Sequence, residues 1–440
     1  MRRAVGALAL VGALALASGC GGGDDPLRLA VQVDCQGPFA GWADPELSGA
    51  FLPLLQRGAR LVGPGLQSGL ENARIAGRPL EVQVACTESF ESTYSVPQLR
   101  ELLEDWRPDV VVGSGIASQD GFIVRDLAKH YPDVTFLVTV PRAQQITLSH
   151  SEPNVFRFTL DNLQSTAGLG SYVYNVLGWR RAAVVTGGSP DDWEESGGFE
   201  AEFCALGGTV TRDDGRAWAP AGAAAAATGY ADTVDGVAVL SAFLPPTAFL
   251  QALARRAGGV AGRLVLGGWA FQDPANLRVP GTSLEGAVVA NALPLGGRGG
   301  PAWEAYLKAY DKSYPGLPSG TAAGALVVPY RNAVEAVAEA LTRTGGDSGP
   351  TGERLRSELS RLAAGTLPRP TRLDENRQAV SSVFLSQVGK ARGKLPTLQT
   401  VRVVNGVEQS FGGIFTPARG PITSTTDTCR RDAAPPPWAS

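Results

Sequence analysis

The chain has 440 residues, 44% of them apolar, with a formal net charge of -3 and no block of like charges. That balance gives nucleic-acid binding no electrostatic support, and the length is too great for one ordinary core and suited to two lobes. At the start, Met1-Arg2-Arg3 precedes an apolar stretch, Ala4 to Ala17, that closes on Ser18-Gly19-Cys20. The stretch is shorter than the roughly 20 residues a membrane-spanning helix requires, so it is predicted to be the h-region of an export signal. Small residues before Cys20 suit a signal peptidase, although Leu16 lies one position further out than a lipobox prefers. On this reading residues 1–19 are a lipoprotein signal, Cys20 is the lipidated terminus, and residues 20–26 form a Gly-Asp tether. No second apolar run approaches membrane-spanning length.

Short β-branched runs then alternate with longer helical patterns, the signature of parallel βαβ units. Strands are predicted at Leu29–Val33, Leu80–Val84, Asp109–Gly113 and Val134–Val138, with helices over 46–61, 96–106 and 122–130 between them. Asn154–Phe158 is predicted as a connector. The rhythm restarts with a helix over 164–177, a strand at 182–186, a helix carrying Phe199 and Phe203, and strands at 237–240, 264–266 and 287–290. Helices are expected over 246–256, 303–314 and 320–342, and 380–387 with 398–404 forms a hairpin-like pair. From Thr423 onward the chain is polar and then Pro-rich, and disorder is expected apart from Cys429.

Setting Cys20 aside leaves Cys35, Cys86, Cys204 and Cys429, an even number in a chain addressed to an oxidising compartment. Four cysteines permit three pairings. Cys35 and Cys86 each closely follow a predicted strand, and successive parallel strands joined by a right-handed crossover bring those ends to disulfide distance. Cys204 with Cys429 follows by elimination. No Cys-x-x-Cys spacing suggests a metal, and no cofactor is expected.

The order Leu29–Val33, Gly37-Pro38-Phe39-Ala40, Gly77-Arg78-Pro79-Leu80-Glu81-Val82, Asp109–Ser114, Pro153–Arg157, Ala205–Val210 and Leu373–Arg377 resembles the type I periplasmic binding proteins, in particular their branched-chain amino acid receptor branch. The resemblance implies an α/β fold of two Rossmann-like lobes joined by three crossings, with residues 27–155 plus 292–365 in the first lobe, 156–291 plus 366–420 in the second, and a tail over 421–440. It implies a small ligand held between the carboxyl ends of both sheets, a membrane permease as partner, a monomeric state, and a lipid-anchored, extracytoplasmic location. Trp42 stands near an aromatic position of the family, and Ser114, Gly115, Ala117 and Ser118 match the segment that receives an amino-acid carboxylate. Arg142 and Gln144 fall in a segment that is small and Thr-containing in amino-acid receptors, so that Arg142 could pair with an acidic ligand or remain a solvated rim charge. Trp193 and Phe243 match two further aromatic positions. Trp269 stands near where the family places a carboxylate for the ligand ammonium, which leaves a common α-amino acid in doubt and favours an aromatic or larger apolar compound; Asp273 is a possible substitute.

Catalysis finds little support. The histidines are His130 and His150, and Gly-x-Ser-x-Gly, Walker and His-Glu-x-x-His motifs are absent. His130 suits a helix cap, and Asp191 with Glu194 suits a solvated helix start. A ligand sensor without transport and a nucleoside-binding lipoprotein are the alternative readings.

Overall fold

The computed structural model describes residues 25–88, 92–113, 118–148, 152–256, 258–317, 324–392 and 395–439. The export signal, Cys20, Ser114, Gly115, Ala117 and His150 lie outside them.

The β-branched runs form two sheets. The first has the strand order Arg74–Ile75, Arg78–Thr87, Leu27–Asp34, Val110–Gly113, Thr135–Val138, Val155–Arg157, and every pair beyond the first is parallel. Successive strand residues point to opposite faces, and both faces here are apolar. Leu29, Val31, Val110, Val112 and Leu137 join a core covered by the helices Ala43–Leu55, Pro301–Ser313, Val327–Arg343 and Glu353–Arg361. Ala30, Val111, Phe136 and Val138 join the opposite core with residues of the helices Ser92–Glu101 and Ser118–His130.

The second sheet runs Thr209–Asp214, Arg181–Thr186, Gly236–Leu240, Leu264–Gly267, Val288–Asn291, followed by the antiparallel strand Ala379–Arg392, which also pairs with Leu395–Val407 and Arg372–Leu373. Ala182 and Val184 face one core, Ala183 and Val185 the other. In both sheets the first strand of a Rossmann-like half has neighbours that continue in opposite directions along the order. Ligand crevices of open α/β sheets lie outside the strand carboxyl ends at such switch points.

Among the described residues the chain crosses between the lobes three times: after Val155–Arg157, between Val288–Asn291 and the helix Pro301–Ser313, and between the helix Glu353–Arg361 and the strand Ala379–Arg392. The connector predicted at Asn154–Phe158 is itself an edge strand of the first sheet. Where the first and third crossings meet, Arg157 is fully buried. It donates from Nε to Gln378 Oε1 (2.5 Å), from Nη1 to the carbonyls of Ala143 (2.8 Å) and Pro141 (3.3 Å), and from Nη2 to Thr147 Oγ1 (3.0 Å).

Several element ends differ from expectation. The first helix stops at Leu55 because Gly58, at φ 97°, turns the chain so that Arg60–Leu61 can pair with Leu70–Glu71. The helix expected over 164–177 is a short 3-10 turn, Gln164–Thr166, then Leu169–Asn175. It breaks at Gly168, whose φ of 87° and contact with Val404 leave no room for a side chain.

The tail corrects the expectation of disorder. Trp438 packs edge-on against Phe411 at 5.0 Å, Arg402 donates to the Trp438 carbonyl, and Asn175 donates to that of Ala439. Thr428 is buried against Glu200 and Arg212. Cys204 and Cys429 are disulfide-bonded with Cα atoms 5.1 Å apart, and Cys35 and Cys86 with Cα atoms 5.4 Å apart. In the latter pair the register sets Val33 beside Cys86, so Cys35 comes off its strand next to its partner.

Candidate functional site

Five strands of the two sheets deliver side chains to one crevice. After Leu27–Asp34 the chain makes the 3-10 turn Gly37–Trp42. After Thr135–Val138 comes the loop carrying Val140 and Arg142. From the second sheet, Arg181–Thr186 leads to the helix Pro190–Ala205, Gly236–Leu240 to Ala242-Phe243, and Leu264–Gly267 to Gly268-Trp269.

The crevice has two chambers. The larger one, about 570 Å³, has Trp42, Pro45, Leu295, Leu326 and Leu395 in its walls, together with Gln272, Asp273 and Asn276. The smaller one, about 20 Å³, lies among Val140, Arg142, Asn162, Asp191 and Ala242. Phe243 and Trp269 border both. Trp42 of the first lobe meets Trp269 of the second edge to face, ring centres 5.4 Å apart, and Phe39 supports Trp42 from behind at 4.5 Å.

Arg142 is only 8% exposed, which excludes the solvated-rim alternative, and its Nε and Nη1 have no hydrogen-bond partner. Burial lowers its pKa to about 10, against the attraction of Glu195, Asp161 and Asp191, none of which comes within ion-pair distance among the described residues. A buried guanidinium with open donors is costly to leave alone. It is suited to receive a planar anion through paired hydrogen bonds.

The solvated helix start expected around Asp191 and Glu194 is corrected. Ser189 and Asp192 form a reciprocal capping box, and Asp192 also accepts from the Ala242 amide at 2.8 Å. Beyond the cap, the carboxylates turn inward. Glu194 accepts from the Gln144 amide and from Asn162 Nδ2, and Asp191 accepts from Asn162 Nδ2 at 2.6 Å. Glu195 accepts from the Trp269 amide at 2.8 Å, and its second oxygen has no partner. Gly268, at φ 94°, permits that approach, since a Cβ there would collide with Glu195 and with the Ser241 carbonyl. The helix therefore supplies carboxylates close to the Trp269 backbone, where the sequence offered only an indole. Spacing carried the missed signal: Glu195 lies three and four residues before Gly198 and Phe199, on the same buried face.

Burial, with neighbouring acids second, raises Glu194 and Glu195 well above the usual carboxylate range. Burial also pushes Asp161, Asp191 and Glu202 up to about 6. Acids whose folded pKa exceeds the unfolded value make the native state the better proton binder. Their stabilisation is complete below about pH 4 and is lost as pH rises through about 6. Groups held low, such as Asp235, are ionised in both states across that window. A thermal melt at about pH 5.5 is therefore expected to lie several degrees above one at about pH 8. Equal midpoints would contradict the buried, raised carboxylates.

The other candidates divide. Trp42, Phe243, Trp269 and Asp273 line the crevice, Asp273 also capping the Ala275 amide. Gln144 directs its side chain to the Gln409 carbonyl near the crossings. Trp193 packs against the second-lobe core and borders neither chamber. Ser118 opens the helix Ser118–His130, whose last residue shares a 2.8 Å hydrogen bond between its Nδ1 and the Asp126 carbonyl. No His, Cys, Asp and Glu cluster among the described residues could hold a metal ion. No described helix is long and apolar enough to cross a membrane.

Residues 26–394 match the sequence family described as periplasmic binding protein. The chain belongs to that family. It is accordingly a solute-binding protein and not an enzyme. Solved structures of similar fold include an ABC transporter substrate-binding protein from Sphaerobacter thermophilus (TM-score 0.71, 21% identity, covering 88% of this chain and 99% of that one). A solute-binding protein from R. palustris in complex with 4-hydroxybenzoate aligns with TM-score 0.69 and 18% identity over 88% of this chain and 98% of its own. The branched-chain amino acid transporter substrate-binding protein of Streptococcus pneumoniae in complex with isoleucine aligns with TM-score 0.64 and 14% identity over 86% and 100%. No curated protein sequence matches the chain significantly.

Proposed function

We propose that this periplasmic binding protein is the extracytoplasmic receptor of an ABC importer, lipid-anchored through Cys20, which closes its two lobes over a small organic acid with an aromatic or apolar body and presents it to a membrane permease. The observation that carries the ligand class is Arg142: a buried guanidinium with two unpartnered nitrogens beside Trp269 and Phe243. A carboxylate satisfies the donors, and the rings take the body. The R. palustris proteins solved with benzoate and 4-hydroxybenzoate share this fold and are consistent with such a ligand.

A second reading rests on Asp191, which lines the same small chamber as Arg142. A zwitterionic amino acid with an aromatic side chain would set its ammonium against Asp191 and its carboxylate against Arg142. Protein lacking residues 1–20 should be melted with benzoate, 4-hydroxybenzoate, phenylalanine and isoleucine. A ligand at about 100 times its Kd stabilises by about 2.7 kcal/mol. The benzoates are expected to raise the midpoint and the amino acids to leave it in place. A shift with phenylalanine alone transfers the conclusion to the second reading, and no shift with any of the four removes the organic-acid reading. Mass analysis of the membrane-extracted N-terminus should find acylated Cys20; an unmodified, freely released protein refutes anchoring. A permease and ATPase encoded beside the gene would separate transport from sensing.

A further inference from the structure

The two chambers together say more about the ligand than Arg142 does alone, on the reading that Arg142 receives a carboxylate. The smaller chamber, about 20 Å³, takes little more than one water-sized group, whereas the larger, about 570 Å³, lies within the range of pockets for drug-sized ligands. A single-ring acid would leave much of it to water.

The wall chemistry points the same way. Only five large apolar side chains among the described residues are exposed, and two of them, Phe243 at 47% and Leu395 at 44%, lie on this crevice. They share its wall with Trp42, Pro45, Leu295, Leu326 and Trp269. Most polar groups of the wall are already engaged: Asn276 donates to the Ala270 carbonyl at 2.7 Å, and Gln272 Oε1 accepts from the Ala292 amide at 3.1 Å. Gln272 Nε2 is buried without a partner, a donor waiting for one acceptor atom part-way along the ligand.

We infer that the ligand is an elongated monocarboxylate of drug-like size, larger than a single-ring acid. Its head pairs with Arg142, its apolar body passes Trp269 and Phe243 to Leu326 and Leu395, and an ether, hydroxyl or carbonyl oxygen on the body meets Gln272.

Titration calorimetry of benzoate, 4-phenylbenzoate and 4-phenoxybenzoate against the protein lacking residues 1–20 tests this. The two-ring acids are expected to bind at least about tenfold more tightly than benzoate, since a second ring buries additional apolar surface. 4-Phenoxybenzoate should be the tightest. A Leu395→Lys variant, altered at a half-exposed position of the crevice wall, should weaken the two-ring acids several-fold more than it weakens benzoate. Benzoate binding as tightly as the two-ring acids, or the variant affecting all three alike, overturns the elongated ligand while the carboxylate reading stands. Failure of all three to bind overturns the carboxylate reading itself.

Discussion

An Arg142→Met variant is expected to bind aromatic acids at least about 100-fold more weakly than the natural protein and yet to unfold at the same or a higher temperature. The two halves have one cause. Among the described residues, Arg142 forms no ion pair, two of its nitrogens have no partner, and burial already depresses its pKa to about 10. Its charge therefore costs the empty protein desolvation free energy that only a bound anion offsets. Methionine fills a similar volume without the charge. Calorimetry and thermal melts check both halves. A variant that binds normally, or that melts well below the natural protein, would show that Arg142 serves the lobes and not a ligand.

The second arginine of this region should behave in the opposite way. Arg157→Met is expected to lower the unfolding free energy in guanidinium titrations by about 3 to 5 kcal/mol. Arg157 is as buried as a side chain can be, but its guanidinium is occupied: Gln378, Thr147 and the carbonyls of Pro141 and Ala143 accept from it, and Asp161 lies 3.8 Å away. Removing it takes one donor from each of those acceptors and leaves the buried Asp161 carboxylate, to which the Gln164 amide donates, without its ion-pair partner in a site closed to water. Because Pro141 and Ala143 flank Arg142, some loss of affinity should accompany the loss of stability. Unchanged stability would contradict the structural role.

The strands were the most legible part of the sequence, since both faces of each sheet are covered and the runs are continuously apolar, as at Val110–Val112 and Ala182–Val185. The pairing of Cys35 with Cys86 was readable for the same reason, because it depends only on neighbouring strands. Trp42, Phe243 and Trp269 reach the crevice because each follows the carboxyl end of a strand. Trp193 does not follow that rule: it sits inside the first turn of a helix, and the helix face it occupies is turned to the core of its own lobe. Glu194 and Glu195 could not be told from solvated charges by composition, because their burial depends on Asn162, Gln144 and Gly268, all distant in sequence. The tail was misread for a similar reason. A Pro-rich polar segment has no periodicity, and its order comes from Arg212, Phe411 and Cys204, which it meets only in the folded chain.

Both covalent ties are local to one half of the molecule. Cys35 and Cys86 join adjacent strands of the first sheet, while Cys204 and Cys429 join a helix of the second lobe to the tail packed upon it. Neither staple spans the crevice. Oxidation thus stiffens each jaw without fixing the angle between them, so redox potential and the opening of the mouth are independent coordinates. A reductant would soften the jaws but could not by itself unlock them.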